Sequence, residues 1–267
     1  MTNPLPTLLP GAEPFFYRGG PVGCLCLHGF MASPAEVRWF GQHLAAQSFT
    51  VYGPRLAGHG THYRDMARMR WMDWHADALD GYHLLRGCCE KVFVAGLSMG
   101  GALALLLGAG LPVDGLVVMA APAQFTDWRM TYAHLIRYVL PYTDQGDSTD
   151  LPQIIRQEQA RRGEPVLGRV RYDRWSSAAV AQLYRLVEAA RSRLPDVTAP
   201  LLLVYSEADE TVPLDSQSLI AGQVGSAVVE QHVLRRSGHI LVQDVERETV
   251  FKLAADFIAA QAARPQP

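Results

Sequence analysis

The sequence predicts a doubly wound α/β fold with a mainly parallel sheet, and three observations lead to this prediction. Strand-like apolar segments alternate with amphipathic helical segments along most of the chain, an order typical of parallel sheets covered by helices on both faces. The 267 residues are 49% hydrophobic and 19% charged, which is sufficient for one large core. Only residues 123–175 interrupt the alternation, because they contain no clear strand pattern. We therefore expect a core domain of residues 1–122 and 176–267, with residues 123–175 as a helical cap insertion over the carboxyl edge of the sheet.

The individual elements follow in a regular order. Residues 22–30, VGCLCLHGF, have the continuous apolar pattern of a buried strand. Residues 33–47 are predicted to form a helix with Ser33 as its N-cap, Pro34 at the first helical position and Glu36 at the third, which is the pattern of a capping box. The other predicted strands are residues 49–53, 91–95, 114–122, 200–206 and 226–234, and the other predicted helices are residues 71–86, 99–109, 177–192, 214–222 and 246–261.

Charge and cysteine content exclude several classes of protein. The formal net charge is −2 and no run of Lys or Arg stands out, so we expect no nucleic acid partner. Cys24, Cys26, Cys88 and Cys89 match neither a paired zinc-binding spacing nor a secreted disulfide framework, and we expect reduced thiols.

The longest apolar run, residues 102–111, is about half of the ~20 residues that a membrane helix needs. With no signal-peptide pattern at the N-terminus, we expect a cytoplasmic, soluble monomer or homodimer without stable membrane insertion.

A candidate nucleophile lies between a predicted strand and a predicted helix. Residues 96–100, GLSMG, have the form G-x-S-x-G, in which a strained turn exposes the serine hydroxyl while the flanking glycines let the two elements approach closely. The same residues could form an ordinary glycine-rich turn by chance, but the strand before Ser98 and the helix after it favour a nucleophile. The stretch lacks the G-x-G-x-x-G spacing of a dinucleotide site.

A serine nucleophile needs a histidine base and a carboxylate that orients the imidazole. His239 lies in a loop after the strand that ends near residue 234, late in the chain, which suits the base. For the carboxylate we select Asp209, which follows a well-marked strand and precedes His239, so that the chain order is Ser, Asp, His. Glu207 is the main alternative. Asp244 could also contact His239, although an N-cap role for the last helix explains it equally well.

Attack on a carbonyl group generates negative charge on oxygen, which backbone N–H groups can stabilise. We predict that Met99, directly after the nucleophile, and Phe30, at the end of the first strong strand, form this oxyanion hole. Gly29 allows the backbone to turn there. His28 is expected to support the loop and not to act as a base.

Five motifs together resemble the bacterial carboxylesterase and monoacylglycerol lipase group of the α/β-hydrolase superfamily. They are LHGFMASP, PRLAGHGTHYRDM, GLSMGG, SEADETVP and SGHILVQD, and the resemblance spans roughly residues 22–262. It implies triad roles for Ser98, Asp209 and His239, an oxyanion hole formed by Phe30 and Met99, a small mobile cap, and no metal or organic cofactor. Residues 123–175 of the cap differ most from this group. The resemblance therefore predicts the mechanism more directly than it predicts the substrate.

The sequence thus predicts a serine carboxylic ester hydrolase that works through an acyl-serine intermediate. A cap with little charge favours acyl chains of short to medium length, and monoacylglycerols are natural candidates. Two alternatives stay open: the same triad could act on a thioester, on a carbon–carbon bond or in perhydrolysis, or the chain could be a small-ligand receptor built on a hydrolase scaffold. His59 and His62 stand three apart, but no third ligand accompanies them, so we expect no metal site.

Overall fold

The computed structural model of the chain describes residues 7–125, 138–144 and 151–264. Within these ranges the strands are β1 (Phe15–Tyr17), β2 (Val22–Leu27), β3 (Thr50–Gly53), β4 (Lys91–Leu97), β5 (Gly115–Met119), β6 (Tyr142–Asp144), β7 (Arg174–Ser176), β8 (Leu201–Ser206) and β9 (Val229–Leu234). The α-helices are α1 (Ala35–Ala46), α2 (Tyr63–Met66), α3 (Trp71–Arg86), α4 (Met99–Gly108), α5 (Leu151–Arg161), α6 (Ser177–Ser192), α7 (Asp215–Gln223) and α8 (Arg247–Ala262).

A seven-stranded sheet with the order β1-β3-β2-β4-β5-β8-β9 forms the centre of the protein. All neighbouring strands are parallel except β1, which pairs antiparallel with β3 at the edge. The inner strands β2, β4, β5 and β8 are buried along nearly their whole length, which explains their continuous apolar sequences. The predicted parallel α/β sheet is therefore confirmed, and the carboxyl ends of β2, β4, β8 and β9 lie along one edge.

Helices cover both faces of this sheet. Helices α3, α4 and α6 pack on one face, where Trp74 and Leu186 are fully buried. Helices α1 and α8 pack on the other face, and the rings of Phe40 and Phe251 lie 5.8 Å apart between their centroids. None of the helices in the described ranges combines the length and apolar composition that a bilayer crossing requires.

Most predicted boundaries are accurate to within a few residues, and the exceptions have local causes. Strand β1 and helix α2 have three and four residues, too few to show a period in the sequence. Strand β9 begins at Val229 and not at 226, because the Ser226 hydroxyl hydrogen-bonds the backbone of Val228 in a local turn.

The predicted insertion contains both helix and strand in its described part. Helix α5 agrees with a helical insertion, but β6 and β7 pair as a small antiparallel sheet, so the expectation of no strand in this interval is wrong. Two strands of three residues each carry no readable alternation. Glu158 of α5 is buried and forms ion pairs with Arg162 and with Arg247 of α8, so α5 is fastened to the core. Residues 126–137 and 145–150 of the predicted cap lie outside the described residues.

The predicted capping box at the start of α1 is wrong. Pro34 occupies the N-cap position, and no side chain caps the helix. The Ser33 hydroxyl donates to the Val170 carbonyl oxygen over 2.9 Å, and Glu36 Oε2 accepts the Gly29 N–H over 2.7 Å. Both side chains therefore bind groups outside the helix and not the backbone N–H groups at its start.

Candidate active site

Ser98 lies in a sharp turn between β4 and α4. Its backbone φ of 55° and ψ of −116° are unusual for a residue with a side chain, and this strained conformation is typical of a nucleophile elbow. The Ser98 N–H donates to the Met119 carbonyl oxygen of β5 over 2.8 Å, which fastens the turn to the neighbouring strand. The turn presents the serine side chain at the carboxyl edge of the sheet.

The two glycines of the elbow are required by backbone contacts. A Cβ atom on Gly96 would lie 2.0 Å from the Gly100 carbonyl oxygen, and one on Gly100 would lie 2.2 Å from the Leu27 carbonyl oxygen. These atoms belong to the backbone and cannot move aside as a flexible side chain could. The glycines of the G-x-S-x-G sequence thus allow β4, α4 and β2 to meet at the elbow.

Replacement of Gly96 by alanine is expected to lower the free energy of unfolding by about 3 kcal/mol or more, because the new methyl group overlaps the backbone of α4. Gly222→Ala is the matched control, since a Cβ atom there meets nothing within 4 Å. In helix α7 that change should alter stability by no more than about 1 kcal/mol, in the stabilising direction. Thermal unfolding of both variants checks the prediction, and equal unfolding temperatures for Gly96→Ala and the unsubstituted protein would contradict it.

The structure brings Ser98, His239 and Asp209 into one hydrogen-bonded chain. His239 Nε2 lies 2.9 Å from Ser98 Oγ, and His239 Nδ1 lies 2.8 Å from Asp209 Oδ2. The imidazole side chain is 15% exposed whereas that of Asp209 is 1% exposed. A neutral imidazole with its proton on Nδ1 satisfies both contacts: it donates to the carboxylate and accepts from the serine hydroxyl.

Asp209 is held more firmly than its alternative Glu207. Its second oxygen, Oδ1, accepts the N–H groups of Thr211 and Val212 over 2.8 and 3.0 Å, so both carboxylate oxygens have partners. Glu207 is exposed to solvent. The geometry therefore favours Asp209 as the partner of His239.

The loop that carries His239 is braced by two carboxylates. Asp244 Oδ2 accepts the Gly238 N–H over 2.7 Å, and Glu246 Oε2 accepts the N–H groups of Arg236 and Ser237 over 2.9 and 2.8 Å. Asp244 is not the N-cap of α8, because Glu246 occupies that position, so the proposed cap was wrong. Sequence reasoning missed Glu246 because acidic residues are common at the start of a helix, where they interact favourably with the helix dipole. Its position therefore did not indicate a contact with the loop that carries His239.

The two expected oxyanion donors lie at adjacent strand ends. Leu27 at the end of β2 is paired in register with Gly96 of β4, which brings the turn containing Phe30 beside the start of α4, where Met99 is the first residue. Within the described part of the chain, neither the Phe30 nor the Met99 N–H donates to a protein acceptor. Among the described residues both N–H groups thus lack an acceptor, as expected of oxyanion donors.

His28 and His59 support this turn from behind. The His28 Nδ1–H donates to the Gly29 carbonyl oxygen over 2.9 Å, and its Nε2 accepts the Leu56 N–H over 3.3 Å. Burial lowers the pKa of His28 to about 4, so the ring is neutral at physiological pH and suited to both contacts. The His59 ring packs edge-on against it at 4.9 Å between centroids.

His59 and His62, the pair considered as metal ligands from the sequence, have different surroundings. His59 is fully buried, whereas His62 accepts the Arg64 N–H at the start of α2. Among the residues the structure describes, no three His, Cys, Asp or Glu side chains are grouped to hold a metal ion.

Comparison with known proteins extends these observations. The model of the family described as serine aminopeptidase, S33, matches residues 23–246. A thermostable monoacylglycerol lipase of Bacillus sp. (strain H-257) is 32% identical over 258 residues, which cover 96% of this chain and 97% of the relative. A carboxylesterase of Bacillus subtilis (strain 168) is 26% identical over 248 residues, covering 92% of this chain and 96% of the relative.

Solved structures agree with the sequence comparison. A solved structure reported with LipS and LipT, two metagenome-derived lipolytic enzymes, superposes on this chain with a TM-score of 0.86 at 29% identity. The superposition covers 95% of this chain and 100% of the other. The monoacylglycerol lipase of Paleococcus ferrophilus has a TM-score of 0.75 at 15% identity, covering 93% of this chain and 98% of the other. At 15% identity, the similarity to the Paleococcus ferrophilus enzyme shows a shared fold alone.

Proposed function

Since the chain belongs to the S33 family of the α/β-hydrolase superfamily and is therefore an enzyme, we propose that it hydrolyses carboxylic esters with Ser98 as the nucleophile. The observation that carries the proposal is the hydrogen-bonded chain from Ser98 Oγ through His239 to Asp209, with contacts of 2.9 and 2.8 Å. A hydroxyl group in this arrangement can lose its proton to the imidazole as it attacks a carbonyl carbon.

The same residues account for both halves of the reaction. His239 Nε2 takes the proton of Ser98 during attack, and the N–H groups of Phe30 and Met99 stabilise the oxyanion. His239 then donates this proton to the departing alcohol, which leaves an acyl-serine. Water, activated by His239, attacks the acyl-serine and releases the acid. Asp209 stays ionised throughout and holds the imidazole tautomer.

Esters are favoured over peptides as the substrate class. The family description names an aminopeptidase, but the relatives that match over 96% and 92% of this chain are named as a monoacylglycerol lipase and a carboxylesterase. We propose acyl chains of short to medium length, and monoacylglycerols as the natural substrate class.

The substrate proposal predicts a single preferred acyl length. Initial rates are measured on p-nitrophenyl esters of increasing chain length, on a monoacylglycerol, on an acyl thioester and on an aminoacyl p-nitroanilide. We expect hydrolysis to peak at a short or medium chain and to include the monoacylglycerol. A preference for the anilide would favour a peptidase and one for the thioester a thioesterase. Turnover of none of these substrates would contradict the proposal.

We also propose a cytoplasmic location. The cysteines Cys24, Cys26, Cys88 and Cys89 are all free, and free thiols suit a reducing compartment. The monomeric or homodimeric state stays a prediction from the sequence.

A further inference from the structure

Glu36 has no part in the triad, yet its buried carboxylate contacts the turn that carries the candidate oxyanion donor. The residue lies in the first turn of α1 with a relative exposure of 6%. Its Oε2 accepts the Gly29 N–H over 2.7 Å, and Gly29 directly precedes Phe30. We infer that Glu36 is a positioning residue of the oxyanion hole, whose carboxylate holds Gly29 and thereby directs the Phe30 N–H toward the carbonyl oxygen of the substrate. This inference rests on the proposed ester hydrolysis.

The turn after β2 needs such a support because its backbone is strained. Met31, which follows Phe30, has a φ of 67° although it carries a side chain, and such a conformation persists only where the surroundings hold it. Gly29 is held at both backbone groups, its carbonyl oxygen by His28 Nδ1 over 2.9 Å and its N–H by Glu36 over 2.7 Å. The peptide groups on either side of Gly29 are therefore fixed in direction.

The carboxylate fits closely against Gly29. A Cβ atom on Gly29 would lie 2.9 Å from Glu36 Oε2, so the glycine lets the carboxylate approach the backbone directly. The contact joins residues of a turn and of the following helix, and a shift of the carboxylate would release the turn that leads to Phe30.

Residues 169–172 of the predicted insertion are hydrogen-bonded to the same turn and place a positive charge near Glu36. The Ser33 hydroxyl donates to the Val170 carbonyl oxygen over 2.9 Å, and the Tyr172 N–H donates to the Met31 carbonyl oxygen over 3.1 Å. Burial raises the pKa of Glu36, and the positive charge of Arg169 opposes that shift. The residues that surround the small cavity at Glu36 are Ala32, Arg169, Val170, Arg171 and Gln243.

The contribution of Glu36 is geometric and not one of charge. A negative charge near a forming oxyanion would oppose its development, whereas an oxygen that accepts the Gly29 N–H aligns the donor. An amide oxygen can accept the same hydrogen bond. The residue is therefore expected to be replaceable by glutamine but not by a side chain of similar length without an acceptor of comparable strength.

The test compares Glu36→Gln with Glu36→Met, which keep the length of the side chain and differ in the acceptor. Oxyanion donors contribute about 10²- to 10³-fold to kcat, and a misdirected donor loses part of this. For Glu36→Met we expect kcat on a p-nitrophenyl ester to fall about 10- to 100-fold, with KM changed less than about threefold. Glu36→Gln should retain kcat within about threefold of the unsubstituted enzyme. The inhibition constant of phenylboronic acid, which forms a tetrahedral adduct with serine, should rise in parallel with the loss of kcat.

Asp114→Leu is the matched control. Asp114 Oδ2 accepts the Val92 N–H over 2.7 Å, which is the same type of contact. Val92 lies near the start of β4, whereas Ser98 follows the last residue of this strand. This variant should lose thermal stability while its kcat per folded molecule stays unchanged.

The outcomes separate this inference from the proposed function. Absence of Ser98-dependent ester hydrolysis by the unsubstituted protein would overturn both. Normal hydrolysis by that protein together with an unchanged kcat in Glu36→Met would overturn the role of Glu36 alone. If Glu36→Met does not fold, Glu36→Gln decides: a loss of kcat above tenfold overturns the inference, and retained kcat with an unchanged phenylboronic acid constant supports it.

Discussion

Replacement of Ser98 by alanine is expected to reduce kcat on p-nitrophenyl esters by about 10⁶-fold, the loss found when a triad serine is removed. Without the hydroxyl no acyl-serine can form, and His239 Nε2 loses its partner at 2.9 Å. The protein should still fold, because the contact that fastens the elbow to β5 is made by the Ser98 backbone N–H to the Met119 carbonyl oxygen. Steady-state rates and thermal unfolding of both proteins check this prediction.

Ser192→Ala is the control for Ser98→Ala. The Ser192 hydroxyl donates to the Ala189 carbonyl oxygen in an exposed position near the end of α6, and its removal should leave the rate unchanged. A pre-steady-state burst of p-nitrophenol should be present in this control and absent in Ser98→Ala. If Ser98→Ala retains more than about 1% of the activity, Ser98 is not the nucleophile.

Asp209→Asn is expected to lower kcat by about 10⁴-fold while the fold stays intact. An asparagine amide group can donate to His239 Nδ1, which places the imidazole proton on Nε2. That tautomer cannot accept the proton of Ser98 Oγ. The asparagine oxygen can still accept the Thr211 and Val212 N–H groups that Asp209 Oδ1 binds over 2.8 and 3.0 Å, so the turn after β8 should be preserved.

The measurement is kcat/KM for Asp209→Asn beside Glu207→Gln, with thermal unfolding of each. Glu207 is exposed, and its substitution should change kcat/KM less than about twofold. A large loss in Glu207→Gln with little loss in Asp209→Asn would assign the carboxylate role to Glu207.

The sequence predicted the fold class because the main strands and helices have strong local patterns. Inner strands such as β4 are buried on both faces and are therefore continuously apolar. Helices α3 and α6 were predicted over the residues at which the structure begins and ends them. Very short elements, namely β1, β6, β7 and α2, were missed because three or four residues are too few to show a period in the sequence.

The candidate site could be predicted only where chemistry has a local signature. Ser98 lies in a glycine-flanked turn whose spacing follows from backbone contacts at Gly96 and Gly100, so its neighbourhood could be read directly. His239 and Asp209 could be selected because residues after parallel strands meet at one edge. The sequence selected Asp209 over Glu207 by its place after a strand and by chain order, and the structure adds the contacts that hold the Asp209 carboxylate.

By itself, the sequence determined the α/β class, the strand-to-helix turn at Ser98 and a small set of partners for it, because these follow from periodicity, glycine spacing and chain order. Only the tertiary structure decided how Glu36 and Glu246 are used. Both residues have the local pattern of a helix terminus, yet Glu36 accepts the Gly29 N–H and Glu246 that of Ser237. A buried carboxylate takes whichever N–H groups the fold brings to it, and that choice is made by contacts between segments and not by neighbours in the chain.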